Sequence, residues 1–437
     1  MHKTMWRCGH WVMARDYQWR RLNQVMALNQ ALRVVFPLIL LGSLADLVIR
    51  GWLTPTGYYY QTLHVENWCP QRARLEQGLL LLQNGAVGLA SLGLAIVVSF
   101  YLVRQVTRST DDQLTAGLLA GLTLQLVNVN PVSLQPHHAP AWLAMNLGWH
   151  GILAGLVVGL LVGNLYRIGV RIWSSPLDAT LRPITLGSLG GLGVATVSGG
   201  WLLAAPFTVR AAFNAWLRLP LSFPTGWGQL ASFSLLNGAM TWCGTLGALP
   251  TTSGQIVAAT QNLAAVLGSA HWQVPHVLTV QTVIQTYASM GGPGMALALL
   301  LAIFLVRQNA AQRRIGWLSL VPVLGNFNAP LLVGLPVIWR PLLGIPLLLA
   351  PLVCVSISSL ALAFHWVPAT AYPLAVSTPG PFLSFLGSGG SLRALLLAIV
   401  NLALATAIYY PFVKGDAAVD RRLAEEAKRD ATSDELA

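Results

Sequence analysis

Long apolar runs, separated by short basic or aromatic segments, make up most of this chain. An apolar helix of about 20 residues crosses a hydrocarbon core of ~30 Å. We interpret ten runs as membrane-spanning helices, of which 256–270 is the weakest. The predicted spans are residues 34–53, 78–103, 114–129, 148–166, 184–205, 229–249, 256–270, 294–306, 342–364 and 392–412.

Two further apolar stretches cannot form continuous helices. Residues 321–346 contain five prolines, three glycines and the amides Asn326 and Asn328, and residues 372–390 are similarly broken. We call them the first and second broken segments. Unpaired backbone cannot face lipid, so they must be buried in protein or line a cavity. We predict re-entrant segments near 318–338 and 373–387, because broken helices point to a transporter's solute site.

Composition supports a polytopic, all-α membrane protein. Hydrophobic residues form 55% of the 437 positions, charged residues only 9%, and the mean hydropathy is +0.61. The net charge of +12 does not indicate nucleic-acid binding, because basic residues cluster at helix ends and in short loops, as membrane orientation requires. Ten spans with these loops on the cytoplasmic side place both termini in the cytoplasm. Residues 1–30 lack the apolar core of a cleavable signal peptide.

Few residues are candidates for acid–base catalysis or metal binding. Asp46 lies inside the first predicted span, but Arg50 one turn later supplies a local partner, and we favour that structural role. His137 and His138 are adjacent on a loop, which is a poor arrangement for a metal. We therefore expect no metal and no cofactor. From residue 179 to residue 415 there is no aspartate or glutamate at all.

Several sequence motifs in the second half of the chain resemble those of a known family. Its specific pieces are Gly-Gly-Pro-Gly at 291–294, the stretch 320–352, Ser-Thr-Pro-Gly-Pro-Phe at 377–382 and the closing apolar helix. Together these resemble the membrane component (enzyme IIC) of the bacterial sugar phosphotransferase system, lactose/cellobiose branch, over about residues 20–415.

The resemblance implies a sugar permease in the bacterial cytoplasmic membrane. It implies a homodimer surrounded by lipid, and a soluble IIB partner, supplied by IIA, that phosphorylates the sugar. The chain would then comprise an N-terminal arm (1–30), an interface domain (31–206), an amphipathic linker (207–226), a transport domain (227–412) and a cytoplasmic tail (413–437). The mixed charges of the tail predict a solvated helix.

The chain departs from the family at the residues that carry its chemistry. Ala329 occupies the glutamate position of the family's Asn-x-Asn-Glu-Pro motif, Leu246 the histidine position of its Gly-Ile-His-Gly run, and Val376 the place of a tryptophan. We assign no catalytic residue, although His271, His276 and His365 are candidate replacement bases. The predicted sugar-contact residues are Asn326, Asn328, Ala329, Leu246, Ser377 and Thr378.

Three hypotheses follow. The chain is a sugar permease of the phosphotransferase system whose phosphotransfer is weak or lost, a solute transporter that does not phosphorylate, or a membrane sensor or partner subunit built on the same scaffold. The surviving proline and glycine breaks favour the first two, because they preserve the cavity. Loss of general-base assistance, worth about 10²–10⁴-fold, argues against efficient phosphotransfer.

Overall fold

The computed structural model describes residues 12–129, 147–149, 151–173, 181–204, 215–247, 249, 251–268, 272–306 and 309–435. Part of the arm, part of the linker, His137, His138 and His271 lie outside these ranges. Within them every named element is helical: α1 Asn23–Val48, α2 Tyr58–Leu63, α3 Val65–Trp68, α4 Arg72–Arg104, α5 Thr110–Val127, α6 Gly151–Ile172, α7 Arg182–Ala204, α8 Trp227–Cys243, α9 Ser253–Gly268, α10 Ala296–Val306, α11 Ala310–Leu324, α12 Ala329–Gly334, α13 Pro341–Ala363, α14 Gly380–Gly387 and α15 Leu392–Glu435. Residues 12–20 are also helical, and π-helical turns occur at Ile49–Leu53 and Val280–Gln285.

Each of the ten predicted spans overlaps a helix within the part of the chain that the structure describes. Among the described residues, five helices are both long and apolar enough to cross a membrane: Asn23–Leu53, Arg72–Arg104, Gly151–Ile172, Pro341–Ala363 and Leu392–Glu426. The weak span corresponds to α9, which buries only the side chain of Asn262. The chain is therefore an all-helical integral membrane protein.

Helix α4 is the centre of the first half. It packs against α1, α5 and α6, and α5 packs in turn against α7. The contact between α4 and α6 is close because glycines recur every fourth residue of α6. A Cβ atom on Gly155 would lie 2.3 Å from the carbonyl oxygen of Ser91, and one on Gly159 would lie 2.8 Å from that of Ala95. Small residues at such positions let membrane helices approach each other.

Gly155→Ala is therefore expected to destabilise the protein by about 1–3 kcal/mol, because the new methyl group meets backbone that cannot move aside. Gly191→Ala on α7 is the matched control, since nothing lies within 4 Å of its Cβ position. Thermal unfolding in detergent measures both variants. Equal midpoints for the two would contradict the close packing of α4 and α6.

The second half is built from pairs of long helices. Helix α13 packs against α8 and α15, and α10 packs against α15. Helix α12, inside the first broken segment, packs against α1 and so joins the two halves. A second junction is an isolated parallel bridge between Gly57 and Val376, in which Tyr58 N donates to the Val376 carbonyl at 3.0 Å and Val376 N to the Thr56 carbonyl at 3.1 Å.

Candidate functional site

Two asparagine side chains hold three irregular segments together. The Oδ1 atom of Asn326 accepts a hydrogen bond from Gly291 N at 2.9 Å, and its Nδ2 atom donates to the Thr378 carbonyl at 2.7 Å. The Nδ2 atom of Asn328 donates to the Pro293 carbonyl at 2.9 Å. The amides therefore join the Gly-Gly-Pro-Gly turn to both broken segments. We call this arrangement the amide junction.

The backbone at the amide junction is strained. Asn326 and Ser377 adopt φ values of 69° and 66°, a region that side-chain-bearing residues rarely adopt. Gly292 has a φ of 97°, and a Cβ atom there would lie 2.9 Å from the Asn326 carbonyl oxygen. Strained backbone of this kind persists only where surrounding contacts enforce it, and it clusters at functional sites.

Asn326→Gly tests the amide junction, because glycine keeps the left-handed backbone and removes both side-chain hydrogen bonds. We expect a loss of about 1–3 kcal/mol in stability, since Gly291 N and the Thr378 carbonyl lose their partner. Asn326→Leu should cost more, because it adds backbone strain. Asn67→Gly, at an exposed position of helix α3, controls for added chain entropy. Unfolding midpoints of Asn326→Gly and Asn67→Gly that coincide would refute the bridging role.

The other predicted contact residues are buried. Ala329 begins α12 and is 5% exposed, and Leu246 is fully buried. Ser377 is buried with an unpaired hydroxyl and lies against Gly51, while Thr378 Oγ1 donates to the Ala375 carbonyl at 2.7 Å. The structure thus brings Asn326, Asn328 and Thr378 together, with Ala329 and Ser377 as their chain neighbours.

Leu246 belongs to a neighbouring arrangement. It lies in the loop after α8, and the end of that helix contacts the chain that leads into α13. Trp339 Nε1 donates to the Cys243 carbonyl at 3.2 Å, and Trp242 Nε1 donates to the Arg340 carbonyl at 2.9 Å. Residue 246 therefore follows a helix end that is anchored next to the far end of the first broken segment.

The amide junction offers polar groups without a described acid. Each asparagine has a carbonyl oxygen with two lone pairs and two N–H groups, so part of this capacity stays free for a hydroxyl. Of the described candidate bases, His276 lies 2.6 Å from Gln261 Oε1, and His365 lies exposed, 3.0 Å from the Ala363 carbonyl. The partners of these two histidines, Gln261 and Ala363, do not belong to the amide junction. The arrangement favours hydroxyl binding over proton transfer.

A cluster of charges that the sequence patterns did not predict lies at the end of the first broken segment, around Arg340. Arg20 pairs with Asp16 at 2.6 Å, with Asp420 at 2.7 Å and with Asp416, while Arg340 Nη1 lies 3.3 Å from Asp416. We call these five residues the terminal ion cluster. It ties the N-terminal helical segment, the start of α13 and the C-terminal part of α15 to one another.

The terminal ion cluster corrects the prediction of a fully solvated tail helix. Helix α15 continues without interruption to Glu435, and Asp416 is only 2% exposed. The cause is Arg340, a lone charge inside the apolar first broken segment, which needs a buried carboxylate. That lone arginine, followed by carboxylates from residue 416 onward, was the available sequence signal.

Burial sets the electrostatics of the terminal ion cluster. Burial raises the pKa of the Asp16 carboxyl group above its ordinary value, against the opposing effect of Arg20. Asp16 also accepts a hydrogen bond from Leu342 N at 3.2 Å in the first turn of α13. Burial lowers the pKa of Arg340, and the neighbouring Arg20 adds to this effect.

The local pair predicted for Asp46 is confirmed, since Arg50 Nε lies 2.6 Å from its carboxylate.

Parts of this chain are similar in sequence to known bacterial proteins. The lactose-specific EIICB component of Lacticaseibacillus casei is 26% identical over 61% of this chain and 48% of its own length. The cellobiose-specific EIIC component of Lactococcus lactis is 35% identical over 29% of this chain and 26% of its own length. These matches span less than half the length of the curated relatives.

A solved structure also matches. It is the crystal structure of the transporter ChbC, the IIC component from the N,N'-diacetylchitobiose-specific phosphotransferase system. Its identity to this chain is 22%, the match covers 94% of this chain and 96% of the other, and the TM-score is 0.41. Residues 35–351, well over half of the chain, match the family described as Phosphotransferase system, EIIC. The chain belongs to this EIIC family.

Proposed function

We propose that this protein is a sugar permease component of a phosphotransferase system. The observation that carries the proposal is the amide junction, in which two asparagines of an EIIC-family chain join both broken segments to the Gly-Gly-Pro-Gly turn through amides that can form further hydrogen bonds. Relatives are named for lactose and cellobiose, which supports a disaccharide as the substrate class. Asn326, Asn328, Ala329, Leu246, Ser377 and Thr378 remain the proposed contact residues.

The proposed topology has ten spans, two re-entrant segments and both termini in the cytoplasm. The terminal ion cluster supports an even number of crossings, because it brings residues near both ends of the chain into direct contact. Basic residues at the helix ends support the cytoplasmic side. Helices α11 and α12, separated by the turn at Gly325–Asn328, are consistent with the first re-entrant segment.

The proposed domain organisation keeps residues 31–206 as the interface of a homodimer and residues 227–412 as the transport domain. The separate packing groups around α4 and around α13 support this division. A soluble IIB partner is part of the proposal, and the EIICB name of one relative, which couples the two components, supports it.

Phosphotransfer is proposed to be weak or lost. Ala329 and Leu246 place apolar, buried side chains where the family resemblance implies an acid and a histidine. A general base commonly contributes about 10²–10⁴-fold to such a step. The same observation favours the second candidate function, a transporter that moves sugar without phosphorylating it.

The test uses the full-length protein in proteoliposomes with radiolabelled cellobiose and lactose. We expect saturable sugar entry without a phosphorylated IIB component, and little sugar phosphate when that component is added. Rapid formation of sugar phosphate would show that phosphotransfer is intact. Absence of both binding and entry for every disaccharide would refute the permease proposal.

A further inference from the structure

A cavity lined by both polar and apolar groups lies outside the amide junction. Its volume is about 610 Å³, and it lies between residues 221–229, helix α9 and the loop 275–279. None of the six proposed contact residues lines it. Ligand sites in proteins commonly enclose about 300–1,000 Å³, so the cavity is large enough for a small ligand.

The cavity wall combines polar groups with a larger apolar area, and it carries no carboxylate, lysine or arginine among the described lining residues. Gln229, Gln255, Gln261, His276 and Thr252 supply amide, imidazole and hydroxyl groups, and the exposed ring of Phe223 adds an apolar surface. Amides and hydroxyls both donate and accept, as a sugar's hydroxyl groups do. The absence of fixed charge in this wall disfavours a phosphate or a carboxylate as the ligand.

Polar contacts fix the walls of the cavity in place. The Nε2 atom of Gln229 donates to the Leu221 and Phe223 carbonyls, each at 2.9 Å. The Oε1 atom of Gln255 accepts from Val280 N at 2.9 Å, and Gln261 Oε1 lies 2.6 Å from His276 Nε2. The side chains that face the cavity are therefore pre-oriented, which lowers the entropic cost of binding.

Helix α9 is attached mainly through these polar contacts. Asn262 is its one buried side chain, and it bonds the backbone of His276 twice, as donor at 2.8 Å and as acceptor at 2.9 Å. Ile256 and Val257 are more than half exposed. The π-helical turn that follows the loop, Val280–Gln285, is of a kind frequent at functional sites.

We propose that this cavity is a binding site for an uncharged, polyhydroxylated solute of the sugar class. The inference rests on the proposed function, because it assigns the permease's substrate class to a second place in the transport half. Gln261 and His276 contact the solute's hydroxyl groups, and Phe223 covers an apolar face of its ring. The solute closes the gap between α9 and the start of α8.

Filling the cavity tests the inference. Ala258 lines the cavity and its neighbour Ala259 does not, so Ala258→Trp and Ala259→Trp form a matched pair on one helix. Equilibrium binding of radiolabelled cellobiose and lactose to the purified full-length protein is the readout. We expect Ala258→Trp to weaken the cavity's component of sugar binding by roughly tenfold or more while binding at the amide junction persists, and Ala259→Trp to bind like wild type.

Gln261→Leu provides a second variant that keeps the helix and removes one amide, with Thr260→Leu, an exposed neighbour, as its control. We expect Gln261→Leu alone to weaken binding severalfold. Wild-type affinity in both Ala258→Trp and Gln261→Leu would overturn the cavity site and leave the permease proposal standing. No sugar binding by the wild-type protein would overturn both.

Discussion

Arg20→Ala is expected to lower the free energy of unfolding by about 3–5 kcal/mol, because it leaves buried carboxylates without their main counter-charge. Arg20 contacts Asp16, Asp416 and Asp420, and its side chain is 2% exposed. Chemical or thermal unfolding of the purified protein measures the loss. The control is Arg21→Ala, the exposed neighbour, which should change stability by no more than about 0.5 kcal/mol.

The loss of unfolding free energy caused by Arg20→Ala should become smaller as the pH falls. Burial raises the pKa of Asp16 above its ordinary value of 3.8, while Arg20 opposes that rise, and Asp416 and Arg340 also act on the group. Because the pKa of Asp16 is higher in the folded protein, the folded state binds this proton more tightly than the unfolded state does, and protonation stabilises the fold. Its contribution is complete below 3.8 and is lost as the pH rises through the folded pKa. A deficit that stays constant from neutral to acidic pH would contradict this account.

Ala329→Glu combined with Leu246→His is expected to raise phosphotransfer from a phosphorylated IIB component by up to about 10²–10⁴-fold, because it restores a proton acceptor. Sugar affinity should rise as well, since each charge-assisted hydrogen bond to a hydroxyl contributes roughly 1.5–3 kcal/mol. Both positions are buried, so the sugar-free double variant should be less stable than wild type.

The matched control is Ala329→Gln with Leu246→Asn. Its amides bind hydroxyl groups but do not accept a proton at neutral pH, so affinity should rise while phosphotransfer stays low. Binding measurements and sugar phosphate analysis separate the two effects. Unchanged affinity in both double variants would show that residues 246 and 329 do not face the sugar.

Apolar runs were sufficient to predict the long helices, and helix-breaking residues predicted an interruption within the first broken segment. The apolar runs long enough to span a membrane correspond to α1, α4, α6, α13 and α15. The turn between α11 and α12 occurs at Gly325–Asn328, inside the first broken segment. The Asp46–Arg50 pair was predictable because both residues lie one turn apart on the same face of the chain's first long helix.

Contacts between distant parts of the chain were not predictable in this way. Asn326 reaches partners 35 and 52 residues away, and Arg20 reaches Asp416 and Asp420 at separations of 396 and 400 residues. Hydrophobic periodicity reports which face of a helix is buried, but it does not say which element covers that face. The sequence therefore marked Asn326 as a site residue without showing that its amide binds backbone.

The bridge between Gly57 and Val376 bears on the proposed transport cycle. A transport cycle that displaces the second broken segment from the first half must break two backbone hydrogen bonds. Each contributes about 0.5–1.5 kcal/mol, so the pair slows opening by roughly 5-fold to 150-fold. A contact of that strength stabilises one conformer without locking it.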